Sequence, residues 1–264
     1  HMKEITDGVR QDHGYRDVCQ TLQEQRGRQH PAPILVTGLC DGARLAFYAS
    51  LITDYKAGTG KGTLLIVPDE KDGLRLSNAF TDLGLRALTY PMRDMILHPV
   101  TASHEYEQER LKVLTQILWD QYDVILATPD AALQLTIPVD VLQANIQPIS
   151  LQKPCNQEQL IGKLVHCGYI RNDLVDAPGQ FSVRGGILDI FSPQMEYPVR
   201  VDFFGDEIEQ MGTFDPMTQR RLEQITEFAI IPAREVLLKT DQRDRLMEFI
   251  RTMQKKAILP QAKE

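Results

Sequence analysis

Hydrophobic positions in the first half of the chain alternate between short apolar runs and stretches with helical spacing. The runs are typical of strands buried on both faces of a parallel sheet; they cover 33–38, 63–68 and 86–91, with a fourth at the start of 123–134. In the stretch between the second and third runs, Leu76, Phe80 and Leu83 recur at helical spacing. This order predicts an α/β domain with a parallel sheet covered by helices.

After Ile146 the pattern changes from helical spacing to a two-residue alternation. A predicted helix at 156–167 precedes five short runs with strand character, which read YIRNDLV, QFSVRG, GILDIFS, PVRVDFF and EQITEFAII. Turn residues separate these runs, among them Gly185-Gly186 and Gly205-Asp206. The second half is therefore predicted to be a mostly antiparallel α+β domain.

The change of pattern divides the chain into three predicted parts. Residues 1–145 form the α/β domain, residues 146–238 form the antiparallel domain, and residues 239–264 form a basic helical tail. The leading His1-Met2 is interpreted as a cloning remnant.

Composition and charge argue against several classes of function. The net charge of −7 over 264 residues argues against a nucleic-acid-binding module, and no apolar run is long enough to span a membrane. Four cysteines lack the C-x-x-C spacing of zinc or redox sites; they are Cys19, Cys40, Cys155 and Cys167. We expect a cytoplasmic protein with unpaired thiols, no metal and no membrane partner.

The segment 34–52, ILVTGLCDGARLAFYASLI, begins like the phosphate-binding corner of a nucleotide hydrolase. Gly38 and Gly42 are one residue too close for that motif, and Ala43 and Arg44 stand where lysine and a hydroxyl residue are needed. Arg44 could still touch an anion, but nothing replaces the magnesium ligand. We therefore predict a degenerate nucleotide loop that binds neither ATP nor Mg²⁺.

Alternation in the second domain predicts an outward sheet face that carries Arg171, Arg184 and Phe191 together. Arginine beside an aromatic side chain is typical of interface hot spots. In the alternative interpretation, the arginines pair with Asp173 and Asp189 in solvent, and Phe191 lies under a loop. Alternation alone leaves both interpretations open.

Two long segments resemble a known family. They are GYIRNDLVDAPGQFSVRGGILDIFSP and YPVRVDFFGDEIEQMGTFDPMTQRR. Both are similar to the second domain of the excision-repair protein UvrB, and more closely to the N-terminal UvrB-homology module of bacterial transcription-repair coupling factors, the Mfd family. The resemblance implies a degenerate helicase-type, RecA-like domain into which the antiparallel domain is inserted. It also implies that the basic tail, residues 239–264, is the start of a truncated segment that returns to the first domain.

The resemblance also implies a partner, the repair protein UvrA, bound through the second domain. Its motifs place Arg171 and Arg184 at the interface, with Ser182 where UvrB has a further arginine. Phe191 takes the place of a family interface aromatic, and Asp189 is included in the same candidate surface. The implied role is a non-catalytic adaptor for nucleotide excision repair at stalled transcription complexes.

Other family properties are implied for parts of the protein beyond this chain. An ATP- and Mg²⁺-dependent translocase motor, the contacts with RNA polymerase and DNA, and a domain that masks the UvrA surface would all lie there. Two alternative functions remain: an ATP-dependent DNA-repair helicase subunit of the UvrB kind, and a nucleic-acid-binding module.

Overall fold

The structure is a computed structural model that describes residues 2–93, 102–237 and 240–257. By its internal contacts the chain separates into two compact units, residues 1–136 and residues 137–264.

The first unit is built on three parallel strands in the order β1-β3-β2. The strands are β1 (Thr63–Ile66), β2 (Ala87–Tyr90) and β3 (Val124–Ala127). The helices of this unit are α1 (Met2–Gln11), α2 (His13–Gln25), α3 (Asp41–Thr59), α4 (Glu70–Asp82), α5 (Ala102–Leu118) and α6 (Pro129–Leu133).

Local chemistry explains where several of these helices begin. The Asp69 carboxylate accepts a hydrogen bond from the Asp72 amide at the start of α4, and Thr128 caps α6 with Pro129 in its first turn. One core cluster includes Phe80 on α4, Val124 and Leu126 on β3, all fully buried. The predicted parallel α/β unit is confirmed.

The first predicted strand, residues 33–38, is wrong. This segment forms neither helix nor strand, and Leu35 and Val36 are 87% and 37% exposed. Strand preference is largely a preference for a half-buried sheet surface, so an apolar run becomes a strand only where a neighbouring strand pairs with it. Here β1 pairs with β3, and β3 pairs with β2.

The second unit contains a six-stranded sheet in the order β10-β9-β8-β7-β6-β5. Neighbouring strands are antiparallel except for the β5–β6 pair, which is parallel. These strands are β5 (Ile170–Arg171), β6 (Gln180–Arg184), β7 (Ile187–Phe191), β8 (Val199–Phe204), β9 (Glu207–Phe214) and β10 (Arg221–Gln224). The predicted mostly antiparallel sheet is confirmed.

In the part of the second unit that the structure describes, a separate two-stranded sheet and three helices accompany the six-stranded sheet. The strands β4 (Gln147–Ser150) and β11 (Glu227–Ile230) pair antiparallel. The helices are α7 (Val139–Asn145), α8 (Gln157–His166) and α9 (Thr240–Ala257). The predicted strand EQITEFAII is thus divided between two sheets, because β10 pairs with β9 and β11 pairs with β4.

The six-stranded sheet has one apolar face, and the main core of the second unit lies there. Its fully buried side chains include Phe181 on β6, Leu188 on β7 and Val201 on β8. Leu160 and Leu164 of α8 belong to the same cluster, so α8 packs on this face. Because strand side chains alternate, the residues between these positions lie on the opposite face of the sheet.

Candidate partner-binding site

The face of the sheet opposite the core carries charged side chains in register. Ser182 on β6 pairs with Asp189 on β7, which pairs with Arg200 on β8. Two residues along β6, Arg184 pairs with Ile187 on β7. Ile187 in turn pairs with Asp202 on β8, so Asp202 lies on the same face. We call the side chains on this side of the sheet the polar face. Its composition makes it the candidate for binding a protein partner.

Asp189 lies at the centre of the polar face and is 1% exposed. Arg200 donates to it from Nε at 2.7 Å and from Nη2 at 2.9 Å, and Arg184 donates from Nη2 at 2.6 Å. A buried carboxylate is tolerated when it is paired and hydrogen-bonded in this way. The cluster of Asp189, Arg200 and Arg184 therefore combines one negative charge with two positive charges.

Arg200 and Arg184 differ in how deeply their side chains are buried and in how many contacts they make within the domain. The Arg200 side chain is 15% exposed, lies with its guanidinium carbon 4.5 Å from the centre of the Phe214 ring, and also donates to Gln219 at 3.2 Å. Its hydrogen bonds to Asp189 raise the pKa of Arg200, against the opposing effect of burial. Arg200 is thus a structural partner of Asp189.

Arg184 keeps 43% of its side chain exposed. Its bond to Asp189 uses one of five guanidinium N–H donors, and no further side-chain hydrogen bond forms with the described residues. Asp189 therefore fixes the guanidinium while other donors stay accessible. This arrangement suits a charge-assisted, bidentate contact with a carboxylate on another protein.

The prediction that Arg171 and Arg184 share one face is wrong. In the parallel β5–β6 pair Arg171 is opposite Phe181, and paired residues in a ladder point to the same side of the sheet. Arg171 is exposed, but it lies at the sheet edge on the side of the core. Residues 172–179 are irregular, so alternation cannot be carried from β5 across to β6.

Phe191 does not lie exposed beside the arginines, which corrects the expectation of a surface aromatic there. It is 6% exposed and packs in a small cluster with Val175 and Phe214. Ser182 is 2% exposed, and its hydroxyl donates to the Asp173 carbonyl at 3.0 Å. The segment after β5 therefore covers this part of the polar face.

The structure agrees in part with the alternative interpretation from the sequence. Asp189 does pair with one of the arginines, Arg184, although Asp189 is buried and not in solvent. Among the described residues, Asp173 forms no ion pair with either arginine. Ser182 and Asp189 are both enclosed, so of the candidate residues Arg184 and Arg171 are the accessible ones.

Sequence reasoning missed three residues of β8 on the polar face, namely Arg200, Asp202 and Phe204. Asp202 accepts hydrogen bonds from Gln210, at 2.7 Å, and from Arg221. The sequence carries a signal for them, because alternation along PVRVDFF puts Val199, Val201 and Phe203 on one side of the strand and these three on the other.

The degenerate nucleotide loop lies in the first unit. The helix α3 begins at Asp41, and the amides of Ala43 and Arg44 donate to the Cys40 carbonyl at 3.0 and 3.2 Å. Gly38 and Gly42 flank this helix start, and no strand precedes it over 33–38. A working phosphate loop connects a strand to a helix and has lysine and a hydroxyl residue at its end.

Two further features concern metal binding and membrane insertion. Among residues 2–93, 102–237 and 240–257, no group of three or more His, Cys, Asp or Glu side chains is placed to hold a metal ion. In the same part of the chain, no helix combines the length and the apolar character needed to cross a membrane.

The second unit is similar to a known family. Residues 148–236 match the family described as UvrB interaction domain. The Bacillus subtilis transcription-repair-coupling factor is 29% identical over 252 residues, which cover 94% of this chain and 21% of that protein. The Myxococcus xanthus transcription-repair-coupling factor is 39% identical over 127 residues, covering 48% of this chain and 11% of that protein.

A Staphylococcus aureus transcription-repair-coupling factor, from strain MRSA252, is 27% identical over 94% of this chain and 20% of its own length. The chain thus spans about a fifth of the length of the two relatives that match along nearly all of it.

Proposed function

We propose that this chain, which carries a UvrB interaction domain and is homologous over 94% of its length to the N-terminal part of transcription-repair-coupling factors, is a non-catalytic adaptor that recruits UvrA. The observation that carries the proposal is Arg184, a half-exposed arginine held by a buried carboxylate on the polar face of that domain. RNA polymerase and DNA would be contacted by other parts of the longer protein, in the bacterial cytoplasm.

The geometry of Arg184 supports a role in binding. A flexible arginine loses side-chain entropy when it is held by a partner, and a guanidinium already fixed by Asp189 loses less. A carboxylate on UvrA can then accept from the remaining N–H donors in a charge-assisted contact. Such a contact near the centre of an interface contributes about 2–4 kcal/mol, which is a factor of about 30 or more in affinity.

Arg171 adds a geometric condition to the proposal. It lies on β5 at the edge of the sheet, on the side opposite Arg184. A partner that contacts both arginines must therefore reach around the β5–β6 edge. We propose that UvrA binds in this way, with Arg184 as the oriented contact and Arg171 as the edge contact.

We also propose that the chain works without bound ATP or Mg²⁺. Ala43 and Arg44 offer neither the lysine ammonium that reaches the outer phosphates nor the hydroxyl that binds the metal. The absence of a strand over 33–38 in the described structure supports the same view, because the phosphate loop of a working site starts at a strand. In the longer protein, another domain is proposed to mask the UvrA surface until repair begins.

The deciding experiment is a titration of purified UvrA against the chain, monitored by fluorescence anisotropy. We expect saturable binding by the wild type and a loss of about 30-fold or more with Arg184→Ala. Arg75→Ala is the matched control, because Arg75 is an exposed arginine paired with Asp72 on a helix of the first unit. Absence of binding by the wild type, or an equal loss in both variants, would contradict the proposal.

A further inference from the structure

Two hairpin turns lie side by side at one end of the six-stranded sheet. Gly185 and Gly186 connect β6 to β7, and Gly205 and Asp206 connect β8 to β9. The amide of Phe203, the neighbour of Phe204 on β8, donates to the Gly186 carbonyl at 2.8 Å, so the first turn is bonded to the strand that leads into the second. Each turn is entered from a residue with a long side chain, Arg184 in the first and Phe204 in the second.

Arg184 and Phe204 project from the same face of the sheet. Arg184 is in register with Ile187, which is in register with Asp202. Phe204 follows Asp202 by two residues on β8, so both lie on the polar face. Arg184 and Phe204 are therefore two strands apart and offset by two residues along the strand direction. Their Cα atoms are about 12 Å apart.

Phe204 is 80% exposed, unlike the other phenylalanines of this sheet. Phe181, Phe191 and Phe214 are buried, and Phe203 packs against the core. An isolated exposed apolar side chain needs no functional explanation. Phe204 differs from such a side chain because the turn next to it is held in place by contacts with neighbouring segments.

Three contacts hold the turn that carries Phe204. Gly186 packs against β8 just before this turn, where a Cβ on Gly186 would lie 2.8 Å from the Phe203 carbonyl oxygen and leave no room for a side chain. The Asp206 carbonyl accepts from the Cys155 amide at 3.1 Å, and the Asp206 carboxylate accepts from Asn156 Nδ2 at 2.6 Å. The turn is thereby bonded to the residues that start α8.

We infer that Phe204 is the apolar anchor of the UvrA-binding surface and that Arg184 is the charged anchor beside it. A rigid aromatic side chain loses little entropy on binding and buries a large apolar area, which is why aromatic residues and arginine dominate interface hot spots. The inference rests on the proposed function. It assigns to the polar face the exposed aromatic side chain that Phe191 does not provide.

The surroundings of Phe204 define the chemistry of the matching surface. Glu207 is paired directly with Phe204 across the turn and is exposed, as is Asp206. The surface on UvrA should therefore combine an apolar pocket with a neutral or basic rim on the side of Glu207. It should have a carboxylate about 12 Å away, within reach of Arg184.

The test compares Phe204→Ala with Phe249→Ala in the UvrA titration. Phe249 is 60% exposed on α9, so the same substitution is made at another exposed phenylalanine. We expect at least a tenfold loss of affinity with Phe204→Ala, recovery of most of it with Phe204→Leu, and a change below twofold with Phe249→Ala. Thermal unfolding should be unchanged in all three variants, because the side chains are exposed.

Salt dependence separates the two anchors. Because the Phe204 contact is apolar, Phe204→Ala should leave the dependence of affinity on salt unchanged, whereas Arg184→Ala should reduce it. If Arg184→Ala weakens binding and Phe204→Ala does not, the inference about Phe204 is overturned and the proposed function stands. If the wild type does not bind UvrA, both are overturned.

Discussion

Asp189 and Arg200 face each other across β7 and β8 and are joined by two hydrogen bonds, of 2.7 and 2.9 Å. This bidentate pair neutralises a carboxylate that is almost completely buried. Because Arg200 already balances the charge of Asp189, the single bond from Arg184 orients that side chain without enclosing it. The fold thus presents an arginine in a fixed position on an open surface.

The first prediction concerns Asp189→Asn. Removal of the carboxylate charge leaves two guanidinium groups together with one neutral amide, and breaking a buried ion pair from one side typically costs about 3–5 kcal/mol. We expect the free energy of unfolding, measured by urea titration, to fall by about that amount. Asp72→Asn removes a more exposed carboxylate paired with Arg75, and it should change the free energy by less than about 1 kcal/mol.

If Asp189→Asn proved as stable as the wild type, the buried pair would not be the structural centre of the polar face. UvrA binding provides a second measurement on the same variant. We expect weaker binding even under conditions where the variant remains folded, because Arg184 loses the group that orients it.

The second prediction concerns the two accessible arginines. Arg171 and Arg184 lie on opposite sides of the sheet and share no hydrogen-bond partner among the described residues. The effects of Arg171→Ala and Arg184→Ala on the free energy of UvrA binding should therefore add to within about 0.5 kcal/mol in the double variant. A double-mutant cycle by isothermal titration calorimetry measures this; a coupling of 1 kcal/mol or more would indicate that both arginines contact one group on UvrA.

The organisation of the fold could be predicted from the sequence because hydrophobic periodicity and turn residues each determine the structure of the segment in which they occur. Helical spacing of Leu76 and Phe80 and the glycines of the Gly185-Gly186 turn each specify an element without reference to distant residues. The strand predicted over 33–38 failed for the opposite reason. Whether an apolar run becomes a strand depends on a pairing partner elsewhere in the chain.

The candidate site could be predicted only as far as alternation extends. Within β6 and β7 alternation placed Arg184 and Asp189 correctly on the side opposite the core. It failed between β5 and β6. The connection between these strands is irregular, and the parallel pairing puts Arg171 on the same side of the sheet as the buried Phe181. The burial of Phe191 depends on Val175 from that same connection, a contact that no periodic pattern encodes.

The third prediction concerns the pH dependence of stability in the first unit. Burial alone would raise the pKa of Asp123, but hydrogen bonds from Arg86 and Lys56 outweigh it and lower the pKa to about 2. A carboxyl group with a lowered pKa in the folded state stabilises the fold above its unfolded pKa of about 4. That contribution, about 2 kcal/mol, is lost as the pH falls from about 4 to about 2.

Asp123→Asn removes this titration. The difference in unfolding free energy between wild type and variant should be about 2 kcal/mol at pH 7 and should shrink towards zero near pH 2. Urea titrations at a series of pH values measure it. A difference that stays constant with pH would show that the Asp123 carboxylate has the same pKa in the folded and unfolded chains.

The last prediction separates an adaptor from a nucleotide-driven helicase subunit. With Ala43 and Arg44 in place of the phosphate-binding lysine and the metal-binding hydroxyl, the chain should give no saturable heat with Mg-ATP in isothermal titration calorimetry at micromolar concentrations. Arg44→Ala should behave like the wild type in this titration. Saturable binding that is lost with Arg44→Ala would place an anion site at the start of α3 and favour the helicase alternative. Salt-sensitive retention of duplex DNA in a gel shift would instead favour a nucleic-acid-binding module.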